Sequence, residues 1–132
     1  MISQGGINPI ASDEARATYE AFEAKYPEGN IDQSRIFNVI GMLSKAITAA
    51  GTATDVVAVA GQLEGMEYDS MWGGKIFMRP QDHQAIQDMH VAVHTDENLD
   101  FDYDNSGFGV VTESTVKMAS MDSATTCEMK RP

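Results

Sequence analysis

IFNVIGMLSKAITAAGTATDVVAVAGQLEGM, residues 36–66, contains two apolar helical patterns separated by a short polar turn. Apolar residues of the first half recur at the spacing of one helix face, which predicts a helix over residues 34–50. Thr54 or Asp55 fits the N-cap of a second helix, over residues 55–64, and we expect the two helices to pack as a hairpin. The first helix is expected to bury its apolar stripe, which consists of Ile36, Val39, Ile40, Leu43, Ala46, Ile47 and Ala50.

The segment before this hairpin carries a further helical pattern. Its apolar and aromatic residues recur at spacings of four, three and four, which predicts a helix over residues 13–26. Ser12 fits the N-cap, and the two acidic residues that follow suit the positive end of the helix dipole. Pro27 and Gly29 end the pattern, so that three helices occupy the first half of the chain.

Strand patterns follow the Gly73-Gly74 turn signal. Alternation of polar and apolar residues predicts strands at about residues 75–79, 88–95 and 107–117, with an acidic loop between the last two and an irregular tail after them. Three helices followed by strands indicate a locally α+β arrangement, or part of a larger α/β fold.

Composition restricts the classes of partner. The 132-residue chain has 20 acidic and 9 basic residues, a net charge of −11, which disfavours binding to nucleic acid or to anionic membranes. The first ten residues lack the basic start and apolar core of a signal peptide, and no apolar run is long enough to cross a bilayer. The length allows one domain, and the form of the N-terminus favours a fragment of a longer protein.

Three histidines, His83, His90 and His94, invite comparison with a metal site. His90 and His94 lie four residues apart in a predicted strand, about 13 Å at ~3.3 Å per residue, which is too far for one ion to bridge easily. The interpretation as unrelated histidines is therefore favoured over a metal centre.

The acidic loop resembles the start of a calcium loop, because Asp100, Asp102 and Asp104 alternate along it. Counted from Asp100, an EF-hand requires glycine at the sixth position and glutamate at the twelfth, where this chain has Asn105 and Val111. We therefore favour a solvated loop. Nucleophile, zinc-protease and phosphate-loop motifs are missing from the sequence, and the single cysteine, Cys127, has no neighbouring histidine. No catalytic residue, metal or cofactor is expected.

Several segments together resemble one protein family. They are ATYEAFEAKYPEG, the hairpin quoted above, GGKIFMRPQDHQAIQDMHVAVHT and the ending TTCEMKRP. In this order they are similar to the C-terminal region of type I periplasmic solute-binding proteins, the branched-chain amino-acid-binding group of ABC importers. The resemblance covers nearly the whole chain.

The resemblance implies a fold of two α/β lobes that closes around an amino acid or a related small organic acid. This chain would be a single partial domain, about the last third, and the segments that grip the ligand's α-amino and α-carboxylate groups would lie upstream. An aromatic residue at the start of the helix over residues 34–50 often faces the ligand cleft in the family, which here indicates Phe37.

The resemblance also implies a periplasmic location and a membrane permease as partner. A partial chain would expose apolar faces and strand edges, which predicts self-association into a homo-oligomer. The alternative is a stand-alone interaction or ligand-sensing module that uses part of this fold and has no catalytic activity.

Overall fold

The computed structural model describes residues 2–3, 12–29, 31, 34–99, 102 and 106–130, in which three main helices precede most of the strands. The helices are α1 (Asp13–Lys25), α2 (Ser34–Ala50), α3 (Val56–Leu63) and the single turn α4 (Met118–Met121). The strands are β1 (Ile2–Ser3), β2 (Glu67–Asp69), β3 (Lys75–Met78), β4 (Ala85–Gln87), β5 (Met89–Thr95) and β6 (Gly109–Val116). The expected mixture of helices and strands is therefore present.

Side-chain caps fix the start of two helices. The Ser12 hydroxyl accepts a hydrogen bond from the Ala15 amide at 3.0 Å and donates one to the Met71 carbonyl at 2.9 Å, so it also ties α1 to a distant turn. The Asp55 carboxylate accepts from the Ala58 amide at 3.0 Å, which identifies Asp55 as the N-cap of α3. α1 ends one residue earlier than predicted, because Tyr26 has left the helical conformation.

α2 and α3 pack against each other as the predicted hairpin. Gly51 allows the turn between them, because its φ of 68° lies in the left-handed region that favours glycine. Gly41, in the middle of α2, lies directly against the hydroxyl of Tyr68 on β2, and a Cβ atom at this position would clash with that ring. The absence of a side chain at Gly41 therefore allows α2 to lie close to β2.

The apolar stripe of α2 is not buried as expected. The exposed fractions of Ile36, Val39, Ile40 and Leu43 range from 43 to 61%. The buried residues of this helix are Ala46, a member of the predicted stripe, and Met42, which lies beside it. The prediction was wrong for the first four members because periodicity shows that a face is apolar, but not that another element covers it.

In the described residues, the strands form two three-stranded antiparallel sheets. In the first, β3 lies between β2 and β4, with Ile76 opposite Tyr68 and Gln87. In the second, β5 lies between β1 and β6, and an irregular register between Val91 and Ala92 leaves Glu113 of β6 unpaired in the ladder.

Four elements were missed in the sequence: β1, β2, β4 and α4. The tail predicted as irregular after Lys117 begins with the helical turn α4, which lies near β4. The three predicted strands are present with shorter bounds, and Arg79, placed inside the first of them, follows the end of β3. None of the helices in the described residues is both long and apolar enough to span a bilayer.

A small core joins α1 to the turn between β2 and β3. It consists of Ala15, Tyr19, Ile31 and Trp72, with Phe22 and Met71 packed against it. Trp72 is only 4% exposed although it lies in a turn, so this turn is held in place by the helix. The core thereby positions one wall of the cleft described next.

Candidate functional site

A surface cleft lies where α2, the β2–β3 turn and the junction of β4 with β5 meet. It is shallow and open to solvent, and the space that its lining residues enclose is about 10 Å³. Its polar lining includes Asn38 from α2, Ser70 from the turn and Gln87 from β4, and Trp72 forms an aromatic part of the wall. A few polar groups beside an aromatic wall are the usual construction of a small-molecule site.

Phe37 contacts this aromatic wall. Its ring lies edge-on to the Trp72 ring, with centroids 5.5 Å apart and an angle of 75° between the planes. Phe37 is 37% exposed but is not among the residues that line the cleft itself. Its contact with a ligand stays a prediction. The structure brings Phe37 next to Trp72, which the sequence did not single out.

Trp72 has a buried hydrogen-bond donor. Its indole Nε1–H is enclosed and has no acceptor among the described residues. A buried donor without an acceptor costs roughly 1–3 kcal/mol, so such groups are uncommon in folded proteins. The sequence signal that could have identified this position is the single tryptophan of the chain, directly before the Gly73-Gly74 turn.

The charged residues of the cleft already have protein partners. Asp88 accepts hydrogen bonds from the Lys117 ammonium and the Met118 amide, both at 2.8 Å, and these interactions lower the pKa of its carboxyl group. Lys75 is paired with Glu67 at 3.0 Å, chiefly a hydrogen bond that raises the pKa of the lysine. Neutral amide and hydroxyl groups therefore remain for contact with a small molecule.

The guanidinium of Arg79 joins the β3–β4 turn to the C-terminal segment. It donates to both carboxylate oxygens of Asp82, at 2.9 and 2.6 Å, and to the Gln84 side-chain oxygen at 2.7 Å. Its other terminal nitrogen donates to Asp122 at 2.8 Å and to the Ser123 carbonyl. We call these five residues the Arg79 cluster. Within the described part of the chain, Arg79 is the buried charged residue, at 8% exposure.

The Arg79 cluster explains two of the three residues of the DHQ segment, residues 82–84. Asp82 and Gln84 converge on Arg79, whereas His83, with a positive φ of 55°, turns the other way and contacts Glu64 at 2.8 Å. The segment thus fastens the β3–β4 turn both to the tail and to the end of α3. Its residues support the fold and are not placed around the cleft.

Acid is expected to destabilise the fold through Asp82. The hydrogen bond from Arg79 holds the pKa of the Asp82 carboxyl group well below its usual range. Because the unfolded value is about 3.9, the unfolded chain takes up this proton first, so the stabilisation is present above about pH 5 and is lost as the pH falls below about 4. We expect Asp82→Asn to be less stable near neutral pH and to lose less stability on acidification, as measured by urea unfolding.

The matched control is the same substitution in an Arg79→Met chain. Without the cation, Asp82→Asn should change the slope of stability against pH far less, because the two substitutions remove the same interaction. An equal effect of Asp82→Asn with and without Arg79 would contradict this assignment.

The three histidines have separate surroundings. His83 contacts Glu64, His90 Nδ1 lies 3.0 Å from the Thr115 hydroxyl on β6, and the His94 ring stacks on Phe108. His90 also lines the cleft. Nowhere in the described ranges do three or more metal-ligating side chains come together.

Asp102 is the one of the three loop aspartates that lies within the described residues. Asp102 accepts hydrogen bonds from the amides of Ser106, at 3.1 Å, and Gly107, at 2.8 Å, which organises the approach to β6. Asp100 and Asp104, the other two aspartates of the predicted loop, lie outside the described residues. Cys127 is an exposed free thiol in the C-terminal segment.

Comparison with known proteins finds a matching family and a similar solved structure. A family model described as periplasmic binding protein matches residues 2–98. The fold is similar to the crystal structure of the leucine-, isoleucine-, valine-, threonine- and alanine-binding protein from Brucella ovis in its closed conformation, with a TM-score of 0.70 and 20% identity. That match covers 95% of this chain and 33% of the Brucella ovis protein, so the chain spans about a third of its length. A comparison with curated proteins gave no match.

Proposed function

The chain belongs to the periplasmic binding protein family, and from this premise we propose that it forms the C-terminal part of a two-lobe solute-binding protein. The complete protein would capture an amino acid or a related small organic acid in the periplasm. Hinge closure of the lobes would then present the ligand to the membrane permease of an ABC importer. The chain has a binding role in this proposal and no catalytic step.

The family match over residues 2–98 is the observation that carries the proposal, and the shallow cleft beside Trp72 is the place where we expect ligand contacts. Its neutral polar lining offers Asn38, Ser70 and Gln87 to a small polar molecule, while Trp72, which is 4% exposed, closes its inner side. Phe37 holds Trp72 through its edge-on contact. This lining suits the polar groups of a small molecule.

The solved neighbour supports the class of ligand. Its name specifies leucine, isoleucine, valine, threonine and alanine, which are amino acids with small or aliphatic side chains. Since the chain matches a third of that protein, we propose that it provides only part of the ligand contacts. An incomplete site of this kind is expected to bind in the millimolar range, about −4 kcal/mol.

Fluorescence titration tests this proposal, because Trp72 is the single tryptophan of the chain and reports directly on the cleft. We expect each of the five amino acids to change its emission, with dissociation constants of roughly 1 mM or more. Phe37→Ala should weaken binding by roughly fivefold, because the Trp72 ring loses its aromatic support. Glucose serves as a solute without an amino-acid group.

Phe108→Ala is the matched control variant. Phe108 is a partly exposed aromatic residue, at 46%, but it stacks on His94 in the other sheet and does not touch the cleft. Equal affinities for the Phe37→Ala and Phe108→Ala chains would remove the cleft from the proposal. A folded chain whose emission does not respond to any of the amino acids would favour the non-catalytic interaction module.

A further inference from the structure

Two amide side chains in the lining of the cleft have hydrogen-bonding atoms that the protein does not use. Asn38 of α2 and Gln87 of β4 are half-buried, and neither side-chain amide forms a hydrogen bond within the described part of the chain. Each amide has an acceptor oxygen and two N–H donors. The cleft therefore presents two neutral groups that can each donate and accept.

Ser70 and His90 add hydrogen-bonding atoms to the same lining. The Ser70 hydroxyl accepts from the Trp72 amide at 3.2 Å, which leaves its own proton for donation. His90 Nδ1 lies 3.0 Å from the Thr115 hydroxyl, and among the described residues its Nε2 has no partner. The polar side chains of this shallow surface are thus only partly satisfied by the protein itself.

An aliphatic group on this surface would displace water from the polar side chains and offer no hydrogen bonds in return. Polar groups left unpaired in this way allow a site to reject an analogue that lacks the matching donor or acceptor. Because the cleft is shallow and open, water still reaches part of its lining. We therefore expect a discrimination of roughly tenfold, against about 10⁴-fold in an enclosed site.

The charge around the cleft favours a neutral ligand group over an anionic one. The chain has a net charge of −11, and Asp88 is itself part of the lining. The ammonium of Lys75, which also lines the cleft, is shared between Glu67 at 3.0 Å and Asp69 at 3.5 Å. A carboxylate in the ligand's side chain would therefore meet an acidic surface whose lysine is already paired.

We propose that the cleft selects a solute with a neutral carboxamide side chain, and that Asn38, Gln87 and His90 determine this specificity. The inference rests on the proposed solute-binding function and names the side chain of the ligand. A carboxamide has one acceptor oxygen and two donors, so it is complementary to the amides of Asn38 and Gln87. The solved neighbour, at 20% identity, shares the fold, and its named ligands do not fix the side chain bound here.

Three amino acids of similar shape test the proposal in the 132-residue chain: asparagine, aspartate and leucine. Their side chains have the same branched outline but end in an amide, a carboxylate or two methyl groups. Titration followed by Trp72 emission should give a dissociation constant for asparagine roughly tenfold below that for leucine. Aspartate should bind more weakly than asparagine because of its additional negative charge.

Two variants assign the preference to the cleft. Gln87→Met removes the amide and keeps the length of the side chain, so it should reduce the preference for asparagine over leucine to about threefold or less. Asn38→Leu is a similar exchange on α2 and should have the same effect. Gln62→Met is the matched control, because Gln62 is exposed on α3 and is not part of the lining, so the tenfold preference should persist. Circular dichroism checks that each variant is folded.

The possible failures are distinct. Leucine that binds as tightly as asparagine would overturn the preference and leave the solute-binding proposal in place. Aspartate that binds more tightly than asparagine would replace the carboxamide by a charged group. Equal loss of the preference in Gln62→Met and Gln87→Met would move the selection away from the cleft. A folded chain that responds to none of the three amino acids would remove the solute-binding proposal and this inference together.

Discussion

Replacing Arg79 with methionine is expected to lower the thermal unfolding midpoint by roughly 10 °C and to release the C-terminal segment from the β3–β4 turn. Methionine retains much of the aliphatic stem of Arg79 but has no donors. Asp82, whose side chain is 11% exposed, would keep its burial and lose its cation. Removing one partner of a buried ion pair is costly because the remaining charge stays partly out of water.

The released segment can be detected without a further substitution. Cys127 is the single cysteine of the chain, is exposed, and follows Thr125 by two residues. Thr125 helps to lower the pKa of the Asp82 carboxyl group, so the cluster reaches almost to the thiol. A spin label on Cys127 should become more mobile in Arg79→Met than in the wild-type chain.

Two variants separate the geometry of Arg79 from its charge. Arg79→Lys keeps the positive charge but cannot bond two carboxylates, an amide and a carbonyl at once. Most of the decrease in the unfolding midpoint should therefore persist in this variant. Lys75→Met is the matched control, because Lys75 also pairs with two carboxylates, Glu67 and Asp69, but its side chain is 47% exposed. Exposed ion pairs contribute little, so this chain should unfold near the wild-type temperature. Equal midpoints for Arg79→Met and Lys75→Met would contradict the role of the cluster.

The local features of the fold could be predicted from the sequence because their causes are local. The apolar spacing within residues 34–50 indicates a helix, and Ser12 and Asp55 cap helices through amides only three residues away. The resemblance to solute-binding proteins is confirmed by the family match and by the fold. That recognition depended on the order of several segments and not on one motif.

Features that depend on long-range contacts could not be predicted. Arg79 meets Asp122 across 43 residues, and Phe37 meets Trp72 across 35, which no local pattern reports. β2 and β4 have three residues each, too short for an alternating pattern to be recognised. The exposed α2 stripe illustrates the same limit, since its spacing is the same whether or not a partner covers it.

Truncating Trp72 to alanine is expected to lower the free energy of unfolding by about 3–5 kcal/mol, the largest effect of any single substitution in the described core. Trp72 is 4% exposed and belongs to the cluster with Ala15 and Tyr19 of α1. Small domains have about 5–15 kcal/mol of stability in total, so this loss removes a large share of it. α1 should then separate from the β2–β3 turn, and the wall of the cleft should be lost with it.

Trp72→Phe distinguishes lost packing from the buried donor. Phenylalanine fills part of the volume and removes the Nε1–H group, which has no acceptor in the described structure. An unsatisfied buried donor costs roughly 1–3 kcal/mol, so its removal offsets part of the lost packing. We expect the free energy of unfolding to fall by about 1 kcal/mol in total. Urea unfolding followed by far-ultraviolet circular dichroism measures both variants, with Phe108→Ala as an exposed aromatic control. If Trp72→Phe were as unstable as Trp72→Ala, the indole N–H would have to be forming a stabilising hydrogen bond, and the cleft wall would need to be reinterpreted around that acceptor.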